Sequence, residues 1–285
     1  MDDDKTPLAP ITLRSGIDMP ALGFGTWHLG ESRGAWQSEA AALLHAVDVG
    51  FTQFDTAEMY GDGAAEELLG EVLQQRQRDK LFLTSKVYPW KADGERMVAA
   101  CEDSLKRLQT DYLDLYLLHW RGQYPFDETV SGFERLKSDG KILHWGVSNL
   151  DADDMKELLG VRDGTKCAVN QVLYNLSDRG VEWDLKPGLD EKQIPLMAYC
   201  PLGEGRLLRD ASLATLADRH RVTPASIALA WLMAQKNTIA IPKTSRAERI
   251  KPIVAALDIE LDEDDLALLD HEFPPPDGPS ALSIV

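Results

Sequence analysis

The 285 residues are 44% hydrophobic and 27% charged, a balance that excludes a disordered or fibrous chain. With 47 acidic against 30 basic side chains the formal charge is −17, which works against binding nucleic acid or anionic lipid and requires any small anionic ligand to be met by a local cluster of Lys and Arg. Cys101, Cys167 and Cys200 suggest neither a disulfide framework nor a CxxC site, and no run approaches the roughly 18 apolar residues of a membrane span, so a cytoplasmic protein is expected.

In chain order, residues 1–20 read as a hairpin, with Ile11-Thr12-Leu13 and Asp18-Met19-Pro20 flanking the turn-like Arg14-Ser15-Gly16. Apolar, β-branched or aromatic runs follow at 21–25, 51–55, 81–87, 112–119, 142–149, 168–174, 195–202 and 238–244. Between and after them lie segments of helical spacing at 38–49, 64–74, 95–108, 128–138, 151–159, 185–192, 224–234 and 247–257. A final helical segment at 262–271 precedes Pro274-Pro275-Pro276. Parallel strands need helical crossovers, and strands covered on both faces are apolar throughout. Eight such units predict an α/β fold, a single (β/α)8 TIM barrel over residues 1–285 whose bottom is closed by the N-terminal hairpin. A doubly wound sheet would place a GxGxxG turn after the first strand, and Gly23-Phe24-Gly25-Thr26-Trp27-His28-Leu29-Gly30 lacks that spacing.

Barrel sites lie at the C-terminal ends of strands, so the polar residues that close the apolar runs carry the functional signal. Asp55 ends one run, Tyr60 follows in the next loop, Lys86 closes Phe82-Leu83-Thr84-Ser85-Lys86, and His119 closes Leu115-Tyr116-Leu117-Leu118-His119. Taken singly, these read as a helix cap, a pocket wall, a surface charge and a core donor. Taken together, a Lys and an Asp brought into one barrel mouth must pair to avoid unpaired buried charge. A Schiff-base role for Lys86, in an aldolase or hydrolase that uses no nicotinamide, stays open on these residues alone.

Asp55-Thr56-Ala57-Glu58-Met59-Tyr60-Gly61, Thr84-Ser85-Lys86-Val87 and Leu117-Leu118-His119-Trp120 resemble the signatures of the aldo-keto reductases. Gly25-Thr26-Trp27, Gly146-Val147-Ser148-Asn149, Asn170-Gln171, Ala198-Tyr199-Cys200-Pro201-Leu202 and Ile241-Pro242-Lys243 extend the resemblance over nearly the whole chain. Within the family it is most similar to bacterial enzymes that reduce methylglyoxal and related small aldehydes.

The resemblance implies hydride transfer from NADPH to a carbonyl carbon, with Tyr60 as proton donor. Lys86 would favour its phenolate, Asp55 would hold Lys86, and His119 would orient the substrate oxygen. It further implies that Ser148, Asn149 and Gln171 bind the nicotinamide carboxamide, that Tyr199 stacks on the ring, and that Lys243, Thr244 and Arg249 bind the 2′-phosphate with Arg246 nearby. Gly25, Thr26, Cys200 and Leu202 complete the implied cofactor contacts; Trp27, Tyr88 and Trp120 are the implied substrate walls. No metal is implied, and the six histidines show no HxH or HExxH spacing. The expected partner is a small carbonyl compound such as methylglyoxal or an aromatic aldehyde, and the expected state is a monomer. Cys200, Glu204 and Pro252-Ile253 depart from the family pattern around the cofactor, and short segments at 121–127 and after Phe273 suggest an open site. A nucleotide-binding sensor or scaffold with negligible turnover is the alternative reading.

Overall fold

In the computed structural model, which describes residues 10–13, 16–74 and 76–285, eight parallel strands run in chain order around a ring. They are β3 (Phe24–Gly25), β4 (Gln53–Asp55), β5 (Phe82–Val87), β6 (Leu113–Leu118), β7 (Ile142–Ser148), β8 (Asn170–Leu173), β9 (Leu196–Tyr199) and β10 (Thr238–Ala240). A parallel bridge between Leu22 and Ala240 closes the ring. Every residue of β5 and β6 is buried, as strands covered by side chains within and helices without require. Inside the ring, Phe82, Leu115, Leu117, Val169, Met197 and Ile239 form the lower barrel core.

Two strands precede the ring, β1 (Ile11–Thr12) and β2 (Asp18–Met19), paired antiparallel. They place buried Leu13 and Met19 against that lower core, so the hairpin plugs the barrel as expected. The expected turn residues Arg14 and Ser15, and residues 1–9, lie outside the described residues.

The outer layer is set by amphipathic spacing and by caps. Helices α1 (Trp36–Asp48), α2 (Ala64–Leu73), α3 (Gly94–Leu108), α4 (Phe126–Ser138), α5 (Ala152–Gly160) and α6 (Leu185–Glu191) follow the strands in turn. In α3 the buried residues Met97, Ala100, Cys101, Ser104, Leu105 and Leu108 form one stripe, and the Asp93 carboxylate accepts the Arg96 N–H at its N-terminus. A Cβ at Gly70 would lie 2.4 Å from the Arg107 carbonyl oxygen, so glycine is what lets α2 approach the end of α3.

The later helices depart further from the expected pattern. Helix α7 (Ala211–His220) was not anticipated; Asp210 caps it through the Leu213 N–H, and Leu213, Leu216 and Ala217 are buried. Next come α8 (Pro224–Met233), capped by Thr223 with Pro224 in its first turn, then α9 (Ile250–Ala255) and α10 (Glu263–Glu272), which starts with a capping box between Asp262 and Asp265. The helical segment expected at 247–257 is shortened to α9 because 3-10 turns, Ala247–Arg249 and Ala256–Asp258, stand at its two ends. Strands β9 and β10 also stop early. Cys200 adopts φ 47°, which breaks the extended run, and Pro242 has no N–H to continue a ladder.

Candidate active site

Three consecutive strand ends converge as the sequence suggests. Asp55 ends β4, Tyr60 begins the 3-10 turn Tyr60–Gly63, Lys86 lies near the end of β5, and His119 follows β6. Lys86 is fully buried. Its Nζ donates to Asp55 Oδ2 at 2.6 Å, to the Thr56 carbonyl at 2.9 Å and to Tyr60 Oη at 3.0 Å. An ammonium has three N–H donors, and here each has an acceptor. Tyr60 Oη is therefore an acceptor towards Lys86, and its own O–H is left for the cavity. Asp55 is satisfied on its other oxygen by Gln171 Nε2 at 2.7 Å, a contact that strand-end reasoning did not foresee.

The protonation states differ in one respect from the expectation that Lys86 biases Tyr60 towards phenolate. Burial, followed by the charge of Asp55, pushes the Tyr60 phenol well above its ordinary value, so Tyr60 holds its proton at rest. Burial also lowers Lys86 from the ordinary lysine value, opposed by the Asp55 carboxylate. His119 is pushed down to about 2 by burial and then by the positive Lys86, which leaves the imidazole neutral at physiological pH. Its ring stands edge-on to Tyr60 with centroids 5.9 Å apart, and its Nδ1 is buried without a partner.

Above this cluster lies a cavity of about 740 Å³. Asp55, Tyr60, His119, Gly25, Thr26 and Trp27 line it, together with Ser148, Asn149, Gln171, Tyr199, Cys200 and Leu202. The polar groups there hold one another in place: Ser148 Oγ donates to the Gln171 carbonyl at 2.8 Å, Asn149 Nδ2 to the His119 carbonyl at 3.1 Å, and Tyr199 Oη to Asn149 Oδ1 at 2.9 Å. Lys243, Thr244 and Arg249 also line it, as do Pro252 and Ile253, and a Cβ on Gly25 would lie 3.5 Å from the Lys243 Cβ. Among the described residues, neither Lys243 nor Arg249 is in contact with a carboxylate; Glu31 and Glu39 act on Lys243 only from a distance. Two basic side chains without close carboxylates, in a cavity that also holds aromatic and amide side chains, suit a phosphorylated dinucleotide.

The cavity does not collect every expected wall. Tyr88 and Trp120 are not among its lining residues; they stand beside His119 in an aromatic group with Trp90. Arg246 is likewise off the cavity. Conversely, Val285 borders it, so the segment after Phe273, though short, does contribute a wall. Sequence reasoning also missed Glu66, fully buried behind β5, which accepts from Ser85 Oγ at 2.5 Å and Arg107 Nε at 2.6 Å. A lone Glu inside an otherwise apolar helical stripe was its only signal. Burial pushes the Cys200 thiol up to about 11, with Glu204 adding to the effect, so the thiol is protonated at neutral pH.

A (β/α)8 barrel with an Asp-Tyr-Lys-His cluster beneath a dinucleotide-sized cavity defines a nicotinamide-dependent carbonyl reductase. The chain belongs to the aldo/keto reductase family, whose pattern it matches over residues 21–272, and it is an NAD(P)H-dependent oxidoreductase. It is 46% identical over 280 residues to the methylglyoxal reductase YeaE of Escherichia coli, covering 96% of this chain and 98% of that protein. The glyoxal reductase of Bacillus subtilis is 34% identical over 262 residues, with 91% of each chain covered. Among solved structures, an aldo/keto reductase from Klebsiella pneumoniae in complex with NADP and acetate superposes with a TM-score of 0.94 at 46% identity, covering 97% of this chain and 99% of that one.

Proposed function

We propose that this protein reduces small aldehydes, methylglyoxal and other 2-oxoaldehydes as well as simple aromatic aldehydes, to alcohols with NADPH, and that Tyr60 is the proton donor. The observation that carries this reading is the Tyr60 hydroxyl: it accepts from Lys86 at 3.0 Å, so its own proton is directed to the cavity where a carbonyl oxygen would lie. NADPH, when bound, supplies the hydride that reaches the carbonyl carbon. Lys86 stabilises the negative charge that grows on Tyr60 as its proton leaves, and Asp55 keeps Lys86 charged and fixed. His119, neutral at working pH, offers an imidazole to the same carbonyl oxygen and orients it.

For the cofactor, Ser148, Asn149 and the free Oε1 of Gln171 are assigned to the carboxamide and Tyr199 to the face of the nicotinamide ring. Gly25, Thr26, Cys200 and Leu202 border its path, and Lys243, Thr244 and Arg249 are assigned to the 2′-phosphate. Trp27 walls the substrate end. The named activities of the relatives from E. coli and B. subtilis support the choice of a small dicarbonyl substrate. This reading takes residues 1–285 as one barrel domain acting as a cytoplasmic monomer.

The test is NADPH oxidation with methylglyoxal in the wild type and in Tyr60→Phe. The variant keeps the ring and loses the proton, so kcat should fall by about 10²- to 10⁴-fold while NADPH binding changes little. Near wild-type turnover in Tyr60→Phe would remove Tyr60 as the acid. A wild type that binds NADPH and reduces no aldehyde would favour the sensor or scaffold reading.

A further inference from the structure

The backbone turn that carries Tyr60 is held in place from outside the barrel by a buried carboxylate. Tyr60 is followed by Gly61 at φ 58°, Asp62 at φ 53° and Gly63 at φ 96°, three successive residues in the left-handed region. For Asp62 that conformation is uncommon, and such a run persists where the surrounding contacts fix it. Helix α2 starts directly after it, with Glu66 in its first turn. Glu66 is fully buried. The proposed proton transfer does not use it, and a carboxylate so deep is costly unless it is paired and hydrogen-bonded.

Both oxygens of Glu66 are engaged, each by a different element. Oε1 accepts Ser85 Oγ at 2.5 Å, and Ser85 precedes Lys86 on β5, facing out where Lys86 faces in. Oε2 accepts Arg107 Nε at 2.6 Å from the last turn of α3. The Arg107 guanidinium also donates to buried Ser104 at 3.3 Å. Its side chain lies against the Tyr60 turn, since a Cβ on Gly63 would come within 2.6 Å of both Arg107 Cδ and Nε. Glu66 therefore joins three things: the strand of Lys86, the helix after Tyr60, and the side chain on which the Tyr60 turn packs. On the other side of Tyr60 the loop is tied to β5 by the Thr56 N–H, which donates to the Thr84 carbonyl at 2.9 Å. Glu58 adds to that tie, its Oε1 accepting the Tyr88 N–H at 2.8 Å and its Oε2 accepting Lys91 Nζ at 2.5 Å. Tyr60 is thus bracketed, and the reach of Glu66 sets the spacing on one side.

We infer that Glu66 is a positioning residue for proton transfer: by holding Ser85 and Arg107 at once, it sets the 3.0 Å contact between Lys86 Nζ and Tyr60 Oη. The inference rests on Tyr60 as the proton donor proposed above and adds the residue that keeps it in register with Lys86. Glu66, Ser85 and Arg107 do not line the cavity, so the effect falls on turnover and not on NADPH binding. Arg107 neutralises Glu66, so what acts on Tyr60 is the length of the side chain more than its charge.

The experiment separates length from charge. In Glu66→Asp the carboxylate is one methylene shorter and reaches Ser85 or Arg107 but not both. In Glu66→Gln the length is kept, with Oε1 accepting from Arg107 and the amide N–H donating to Ser85 Oγ. With methylglyoxal and NADPH, Glu66→Asp should lower kcat by about tenfold, and Ser85→Ala, which cuts the tie to β5 alone, by about threefold. Glu66→Gln should stay within about twofold of the wild type, and the NADPH Kd, read from quenching of protein fluorescence, should stay within about twofold in all three variants. In a Tyr60→Phe background Glu66→Asp should have no further effect, because the hydroxyl that it positions is gone. A loss of NADPH affinity matching the loss of kcat, a Glu66→Gln variant as slow as Glu66→Asp, or effects that multiply with Tyr60→Phe would overturn the inference and leave Glu66 a residue of the fold alone. Should Glu66→Asp fail to fold, Ser85→Ala and its combination with Tyr60→Phe carry the same test. A readout independent of turnover is the crystal structure of Glu66→Asp or Ser85→Ala, in which Lys86 Nζ and Tyr60 Oη should part beyond the roughly 3.5 Å of a hydrogen bond. An unchanged contact there would overturn the inference. If the wild type reduces no aldehyde, or Tyr60→Phe turns over normally, the proposed function fails, and that distance still decides the role of Glu66.

Discussion

Replacing Lys243 and Arg249 together by alanine is expected to erase a preference for NADPH over NADH. A chain of charge −17 repels an additional phosphate on average, so discrimination must come from specific cations. Lys243 and Arg249 both border the cavity, and among the described residues neither is neutralised by a contacting carboxylate. A hydrogen bond to a charged group contributes about 1.5–3 kcal/mol. Both side chains reach solvent, and Lys243 is only partly desolvated, so solvent screening favours the lower figure. Two such bonds sum to about 3 kcal/mol, or roughly a 10²-fold preference for NADPH.

The assay is kcat/KM for each cofactor, with methylglyoxal saturating, at low and high salt. In the wild type the preference should shrink as salt rises. It should also shrink towards alkaline pH sooner than for an ordinary lysine, because burial lowers the Lys243 value and its charge is lost earlier. The double variant should lose activity with NADPH and keep its activity with NADH. Pro252 and Ile253, which line the same cavity and carry no charge, should affect both cofactors alike and leave the ratio untouched. Equal values for the two cofactors in the wild type, or an unchanged ratio in the double variant, would refute the assigned phosphate site.

Two further outcomes follow from the shifted titrations. His119 is held neutral down to about 2, below the ordinary 6.5, so below about pH 6.5 the unfolded chain binds a proton there that the native chain does not, and stability falls with falling pH. Urea unfolding at pH 7 and pH 5 should show His119→Gln losing about 2 kcal/mol less than the wild type over that interval; parallel losses would mean that the imidazole charges in the native state. Cys200, half-buried with its thiol pushed up to about 11, should react with iodoacetamide at neutral pH about tenfold more slowly than an unperturbed cysteine, and NADPH should slow it further. Mass spectrometry reads both rates, and fast alkylation at pH 7 would contradict the assigned thiol state.

What could be read from the sequence was what each segment decides locally. Apolar runs with helical segments between them fix an eightfold alternation, and the strand-end positions of Asp55, Lys86 and His119 place them at one mouth whatever the details of packing. Helix α7 escaped because its apolar residues, Leu213, Leu216 and Ala217, are few and its strongest signal is the cap Asp210, which reads equally well as a loop residue. Pairings between distant elements were hidden for a different reason. The bond from Gln171 to Asp55 crosses the barrel, and that from Glu58 to Lys91 joins two loops; neither has any sequence periodicity to announce it. The net titration of Tyr60 is not legible either: proximity to a lysine is visible in a motif, whereas the depth of burial that outweighs it at rest is a property of the closed barrel.

The same geometry assigns Asp55 a task that charge alone does not describe. Its carboxylate keeps Lys86 an ammonium, and only an ammonium has a third proton to give Tyr60 Oη once Asp55 and the Thr56 carbonyl have taken two. In Asp55→Asn the buried Lys86 loses its counter-charge, a change that costs about 3–5 kcal/mol if the lysine stays charged. Deprotonation relieves that cost, and the neutral amine then presents a lone pair to Tyr60, which turns the phenol proton away from the cavity. Asp55→Asn should therefore lower kcat by about 10²-fold or more although Tyr60, the proposed acid, is intact, and adding Asp55→Asn to Tyr60→Phe should lower it little further. Asp55→Asn/Lys86→Met, which removes both members of the pair, should be more stable than Asp55→Asn measured where Lys86 is charged, at mildly acid pH. The measurements are thermal unfolding and kcat for the single and double variants. If Asp55→Asn and Tyr60→Phe multiply instead of overlapping, Asp55 acts on catalysis by a route other than the orientation of the Tyr60 proton.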